Sequence, residues 1–151
     1  MDPRIIRFLN RHHVLTLSTS TGYNSWTAHC FYAYLPEQHA LVFTSDPETR
    51  HGQALTHQAG VSGGIVLETR LVGKIQGIQL TGHVLECQSL ENQSTPIGIT
   101  PEKARSVYIK KFPYAIATQL HLWVLVIDYL KMTDNRLGFG KKLEWKREDH
   151  L

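Results

Sequence analysis

Only two cysteines, Cys30 and Cys87, occur in the 151 residues, and neither stands in a close-spaced metal or redox motif. The pair favours buried thiols in a reducing compartment over a disulfide. Long hydrophobic runs are also missing. No stretch reaches the length needed to span a bilayer, and the opening MDPRIIRFLNRHH alternates charge with apolar residues, without the apolar block of a signal peptide. A soluble cytoplasmic protein with no membrane partner is expected. There is no G-x-G-x-x-G, no P-loop lysine pattern and no H-E-x-x-H, which removes the nucleotide and zinc-protease readings those motifs carry. A strong excess of charge of one sign is lacking too. The net charge is +3, and basic residues are scattered apart from Lys110-Lys111 and the tail from Lys141 to Arg147. This balance leans toward anionic ligands, but it lacks the basic face with interleaved aromatics that nucleic acid demands. No repeat or linker divides the chain, so one domain with one core is expected.

What is present reads as alternating strands and helices. Pro3 to Arg11 places Ile5, Ile6 and Leu9 on one side of a short helix, with Arg4, Arg7 and Arg11 largely on the other, so its apolar stripe is expected to lid the core. Val14 to Thr19 and Trp26 to Leu35 read as two strands around the turn Thr21-Gly22, and Ala40 to Thr44 as a third after the turn Pro36 to His39. A helix then runs from His51 to Ala59. Gly60 to Leu67 and Lys74 to Cys87 follow as strands, and Gln88 to Thr100 reads as a loop. Thr100-Pro101 reads as the cap and first residue of a helix reaching about Phe112. A short helical turn over Tyr114 to Leu120 precedes the apolar strand Leu122 to Leu130, the turn Asp134-Asn135 and a glycine-containing end from Leu137 to Trp145. Six to seven short strands with two or three helices between them describe an α+β fold, a mainly antiparallel β-barrel with peripheral helices.

The chemistry concentrates in FTSDPETRHGQAL, Phe43 to Leu55, where a strand turns through Asp46-Pro47 into a helix. Unpaired N–H groups at a helix start favour an anion, Arg50 can bind one in two-pronged fashion, and Ser45 and Thr49 offer hydroxyls. The same residues also suit a plain helix cap beside a solvated arginine. The residues alone leave both open. In Lys74 to Cys87 one face carries Ile78, Leu80, Gly82 and Val84 while the other carries Gln79, Thr81, His83 and Leu85. That polar set fits a barrel wall facing a cofactor or subunit, or simply a strand with one wet face. Nine histidines lack a matching carboxylate or cysteine cluster, so no metal site is expected. His29 and Cys30 are neighbours on a strand and point to opposite sides, which argues against a Cys-His nucleophile there. No acid-base pair emerges, so any catalysis would rest on a cofactor.

Taken in order, the opening helix and hairpin, FTSDPETRHGQAL, GIQLTGHV, the helix ending KKFP and LKMTDNRLGFGKK resemble the flavin-binding split-barrel superfamily that includes pyridoxamine 5′-phosphate oxidase. The likeness is closer to the small bacterial YhbP-type group within it, and it spans nearly the whole chain. It implies one split-barrel domain over residues 1–151 and a homodimer of six-stranded split barrels holding FMN between subunits. It further implies that Thr44, Ser45, Thr49, Arg50 and His51 hold the FMN phosphate, with His51 where the family commonly has lysine. A neutral imidazole donates one hydrogen bond in place of a full charge. Ala28, His29, Cys30 and Phe31 correspond to the strand along the isoalloxazine, Gln79 resembles a strand residue that reaches it, and Lys141, Lys142 and Trp145 can reach across the dimer. The basic residues and C-terminal arginine motif of the true oxidases have no match, so a small-molecule oxidoreductase or flavin reductase-like protein is implied instead. Haem or deazaflavin as ligand, or a non-enzymatic dimeric module, are the alternatives.

Overall fold

A segment that is apolar at every position, when extended, buries both of its faces. ALVF and LWVLVI are two such segments, and they become the strands about which the molecule is layered. A computed structural model describes residues 1–90 and 97–148. Helix α1 (Pro3–Arg11) leads into β1 (Val14–Thr21), β2 (Asn24–Leu35) and β3 (Ala40–Thr44). Helix α2 (Arg50–His57), β4 (Gly60–Val66), β5 (Gln76–Glu86), α3 (Pro101–Lys111), β6 (Leu122–Asp134) and β7 (Lys142–Lys146) complete it. The strands form one antiparallel sheet in the order β3-β2-β1-β4-β5-β6-β7, and β3 pairs back onto β6 from Ala40↔Val126 to Thr44↔Leu122. The first six strands thus close into a split barrel, with β7 added on β6 beyond the reach of β3.

Alternation sorts the two layers. Tyr32, Tyr34, Leu41, Phe43, Trp123, Leu125 and Ile127 point into the barrel, while Ala33, Leu35, Ala40, Val42, Val124 and Val126 point outward beneath α3. Ala104 and Tyr108 of α3 cover that outer layer, and α3 begins as its sequence predicts, with Thr100 accepting from Lys103 N–H ahead of Pro101. Helix α1 buries Ile5, Phe8 and Leu9 in the barrel core, and the Tyr32 hydroxyl donates to Leu9 O at 2.8 Å. Lys111, at the end of α3, donates to His12 O at 2.5 Å and lies over the Tyr32 ring, and burial pulls its ammonium down to about 8. Cys30 is buried inside the barrel and Cys87 in the outer layer, both as free thiols that burial pushes up to about 11 and about 12. Residues 91–96 of the expected loop lie outside the described residues, and its first three residues, Gln88 to Leu90, belong with Cys87 to a 3-10 turn, Cys87–Leu90. No described helix is long and apolar enough to cross a membrane.

The register between β5 and β6 slips at Thr81/Gly82, leaving Asp128 as the extra residue of a bulge, and the bulge turns Asp128 to within 3.1 Å of His83 Nδ1. Gly82 makes this possible, because a Cβ there would stand 2.1 Å from Val126 O and 2.9 Å from Leu125 Cδ2.

Two measurements test this packing. Gly82→Ala forces β5 off the β6 backbone and should lower stability by about 1–3 kcal/mol, read as a lower urea midpoint with an unchanged slope. His12 packs against Phe8 at 4.0 Å between ring centroids, its Nε2 is buried with no hydrogen-bond partner among the described residues, and burial followed by the nearby Arg11, His13 and Lys111 charges lowers its pKa below 6.5. The unfolded chain therefore takes up a proton that the folded chain refuses, and this contribution to stability, full above pH 6.5, is lost as pH falls through the folded value. His12→Phe should keep the ring packing and reduce the acid-side fall in urea midpoint relative to wild type.

Candidate functional site

Helix α2 starts where β3 leaves the barrel closure, and backbone bonds hold the junction. Ser45 N–H donates to His121 O at 3.2 Å, and the buried Trp123 indole N–H donates to Ser45 O at 2.9 Å. The turn then packs so tightly on the helix that a Cβ at Gly52 would sit 2.4 Å from Asp46 O. Thr49 is the N-cap: its hydroxyl accepts from Gly52 N–H at 3.1 Å and donates to Asp46 O at 2.7 Å. Ser45 Oγ and His51 Nε2 share a hydrogen bond at 2.7 Å, and burial lowers the His51 pKa, so this imidazole is neutral near pH 7. The Asp46 carboxylate accepts from Glu48 N–H at 2.8 Å. Two hydroxyls and one imidazole are thus joined within one turn of α2. Arg50 stands apart from them. Its guanidinium lies over Trp26, 4.3 Å from the ring centroid, and has no carboxylate partner among the described residues.

Arg50 and Trp26 border a groove of about 210 Å³ between α2 and the hairpin of β1 and β2, with Thr19, Asn24, Gln53 and His57 also on its walls. Sequence reasoning singled out Arg50 but not Gln53 and His57. Their positions three and seven residues along the helix are the signal that would have found them. The groove adjoins an open strand edge. β1 pairs Asn24 to Phe31 of β2 on one side, whereas β3 pairs only Tyr32 to Leu35 on the other. No described strand covers the second edge of Asn24 to Phe31, the stretch that contains Ala28 to Phe31. Within it, Cys30 is buried and Ala28 half-buried against the core, while His29 bonds Thr16 Oγ1 at 3.1 Å and Phe31 is 55% exposed.

Other expected site residues lie elsewhere within one chain. Thr44 turns away from the groove, donating to His121 O at 3.1 Å and lining a separate hollow with Asp46, Gln119 and His121. Gln79 is exposed on the outward face of β5, beside Gly64 and Lys131 on the neighbouring strands. Lys141 is exposed at the start of β7, and half-buried Trp145 packs edge-on against His39 at 4.9 Å in a third hollow, with Arg147. The outward face between these points is rich in hydroxyls, with Ser18, Ser62 and Thr81 in cross-strand register and Thr16 two residues along β1 from Ser18. Among the described residues no cluster of three or more histidine, cysteine or acidic side chains could hold a metal ion.

Comparison with known proteins places this geometry in a family. No protein-family model matches the chain. A haem-binding protein from Mycobacterium smegmatis superposes with a TM-score of 0.70 at 18% identity, covering 97% of this chain and 59% of that one. An FAD-binding protein from Mesorhizobium loti superposes with a TM-score of 0.63 at 14% identity, covering 87% and 94%. At those identities the likeness is one of fold, the split barrel. A UPF0306 protein of Photorhabdus laumondii is 40% identical over 143 residues, 95% of this chain and 94% of its own length. With that identity maintained over almost the whole of both sequences, the chain belongs to the UPF0306 family.

Proposed function

We propose that the protein is a dimeric FMN-binding flavoprotein that serves a small-molecule oxidoreductase or flavin reductase-like reaction. The observation that carries this reading is the meeting of an open strand edge with an arginine that has no carboxylate partner among the described residues: Asn24 to Phe31 on β2, and Arg50 stacked on Trp26 at the start of α2. A flat heteroaromatic ring with donors and acceptors on its rim suits an unpaired backbone edge, and a phosphate suits a guanidinium at a helix start. Arg50 would hold the phosphate, with the N–H groups of the first turn of α2 beside it and His51 adding one neutral hydrogen bond. Trp26 would hold the planar guanidinium in place. When bound, FMN supplies the redox chemistry, accepting and returning hydride or electrons, while the protein orients the ring and shields it from water.

A second copy of the chain is supported by the exposure of β2. Both faces of Asn24 to Thr27 are exposed although the segment is a strand, and Val14 and Phe31 expose 41% and 55% of their surface beside one another. A partner seated there would enclose the groove, and it would allow Lys141 or Trp145 of one protomer to approach the site of the other. Haem is the second reading, favoured by one observation: His29 and His83 stand on the outward barrel face, each with Nδ1 engaged, by Thr16 and Asp128, and Nε2 without a described partner. An imidazole oriented through one nitrogen can ligate a metal through the other.

Purified protein should show a flavin spectrum, or quench FMN fluorescence on titration, and elute as a dimer in light scattering. Arg50→Ala should weaken FMN binding about tenfold or more, the loss of a charge-assisted contact to phosphate. A colourless protein that leaves FMN fluorescence unchanged defeats the flavin reading. A Soret band on haem addition that His29→Ala or His83→Ala removes would establish haem instead.

A further inference from the structure

Helix α1 carries Arg4, Arg7 and Arg11 three and four residues apart, a spacing that aligns them on one helix face. On an isolated amphipathic helix such residues splay into water. Here they border a hollow of about 200 Å³ that Arg136, from the turn after β6, closes from the far end of the chain, with Phe8 and Met132 among its walls. Two of the four guanidiniums are fixed by carboxylates. Arg4 donates to Asp2 through Nε at 3.0 Å and Nη2 at 2.7 Å, and Arg136 donates to Asp134 through Nε at 3.0 Å and Nη2 at 2.8 Å. Asp134 is 1% exposed, and Gln76, 4% exposed, turns its amide oxygen to the Arg136 guanidinium, 2.7 Å from Nε. Arg7 and Arg11 have neither a hydrogen-bond nor an ion-pair partner among the described residues. Four guanidiniums against two carboxylates leave a surplus of two positive charges around one small concavity. Their mutual repulsion is relieved by an anion, and two unused planar forks beside two fixed ones match the tetrahedral oxygens of a phosphate better than a single carboxylate.

We propose that this hollow binds a phosphate group, as free phosphate or as the phosphate end of a small phosphorylated molecule. The site is independent of the flavin reading, because it shares no residue with the groove at Arg50. Arg7 and Arg11 make the contacts, Arg4 and Arg136 set the field, and the apolar walls at Phe8 and Met132 offer a surface to the body of an esterified ligand.

The test uses the full chain at constant ionic strength, titrated calorimetrically with inorganic phosphate and with phenyl phosphate. Arg50→Ala, which removes the phosphate contact proposed for the other groove, should still bind at this hollow, and the Arg7→Gln/Arg11→Gln double substitution built on it, altered only at exposed positions, should lose about tenfold or more in affinity. Its circular dichroism and melting temperature should match those of Arg50→Ala in the absence of phosphate. Tighter binding of phenyl phosphate assigns a phosphorylated molecule as the ligand, and equal binding assigns phosphate itself. The proposal is overturned if sodium chloride at the same ionic strength gives the same response, an adventitious ion only. It is equally overturned if the double substitution leaves the binding of Arg50→Ala unchanged, or if Arg50→Ala alone abolishes binding.

Discussion

The pairing of β3 with β6 is the constraint on which the rest of the structure depends. It joins segments separated by two helices and two strands, and without it the sheet is an open ribbon with two bare edges. Closing so long a loop costs entropy that grows only slowly with its length, and what offsets it is burial on both faces of both strands. Phe43 and Trp123 fill the barrel side of that contact, while Val42 and Val124 fill the side under α3. Those residues pair directly, Val42 with Val124 and Phe43 with Trp123, so one register satisfies both layers.

The same contact places the chemistry. Trp123 lies in the closure and gives its indole N–H to Ser45, the first residue after β3, so the closed barrel anchors the turn that starts α2. From that fixed start α2 runs along β2, buries Leu55 in the core and sets Arg50 over Trp26. Because β3 is only five residues long, it covers β2 at Tyr32 to Leu35 and no further. A strand edge left open beside a positively charged helix start is a consequence of that short β3, and the proposed cofactor reading uses it.

Much of the fold was legible in the sequence because its signals are local. Capping at Thr100-Pro101, the alternation of β5 and the unbroken apolar run of β6 each depend on neighbours in the chain, and each appears where the residues indicate. The strand ends were less legible: β6 continues through Lys131 and Thr133 to Asp134, where polar residues stay paired because β5 and β7 flank them. At the α2 start both local readings hold at once. Thr49 is the helix cap, which settles its hydroxyl on Gly52 and Asp46, and Arg50 beside it is a cation without a carboxylate partner among the described residues. Thr44, adjacent in sequence to Ser45, faces another hollow because successive strand residues point to opposite sides.

The sequence by itself determined the elements, their order, and which residues of each carry apolar or polar character, since propensity, capping and period are properties of short stretches. It also carried the family likeness, through motifs that keep their order along the chain. The tertiary structure decided which distant side chains share a space: Arg50 with Trp26, His83 with Asp128 across a bulge, and Arg136 with the arginines of α1. Those meetings depend on strand register and barrel closure, and each is a long-range packing outcome that no local period encodes.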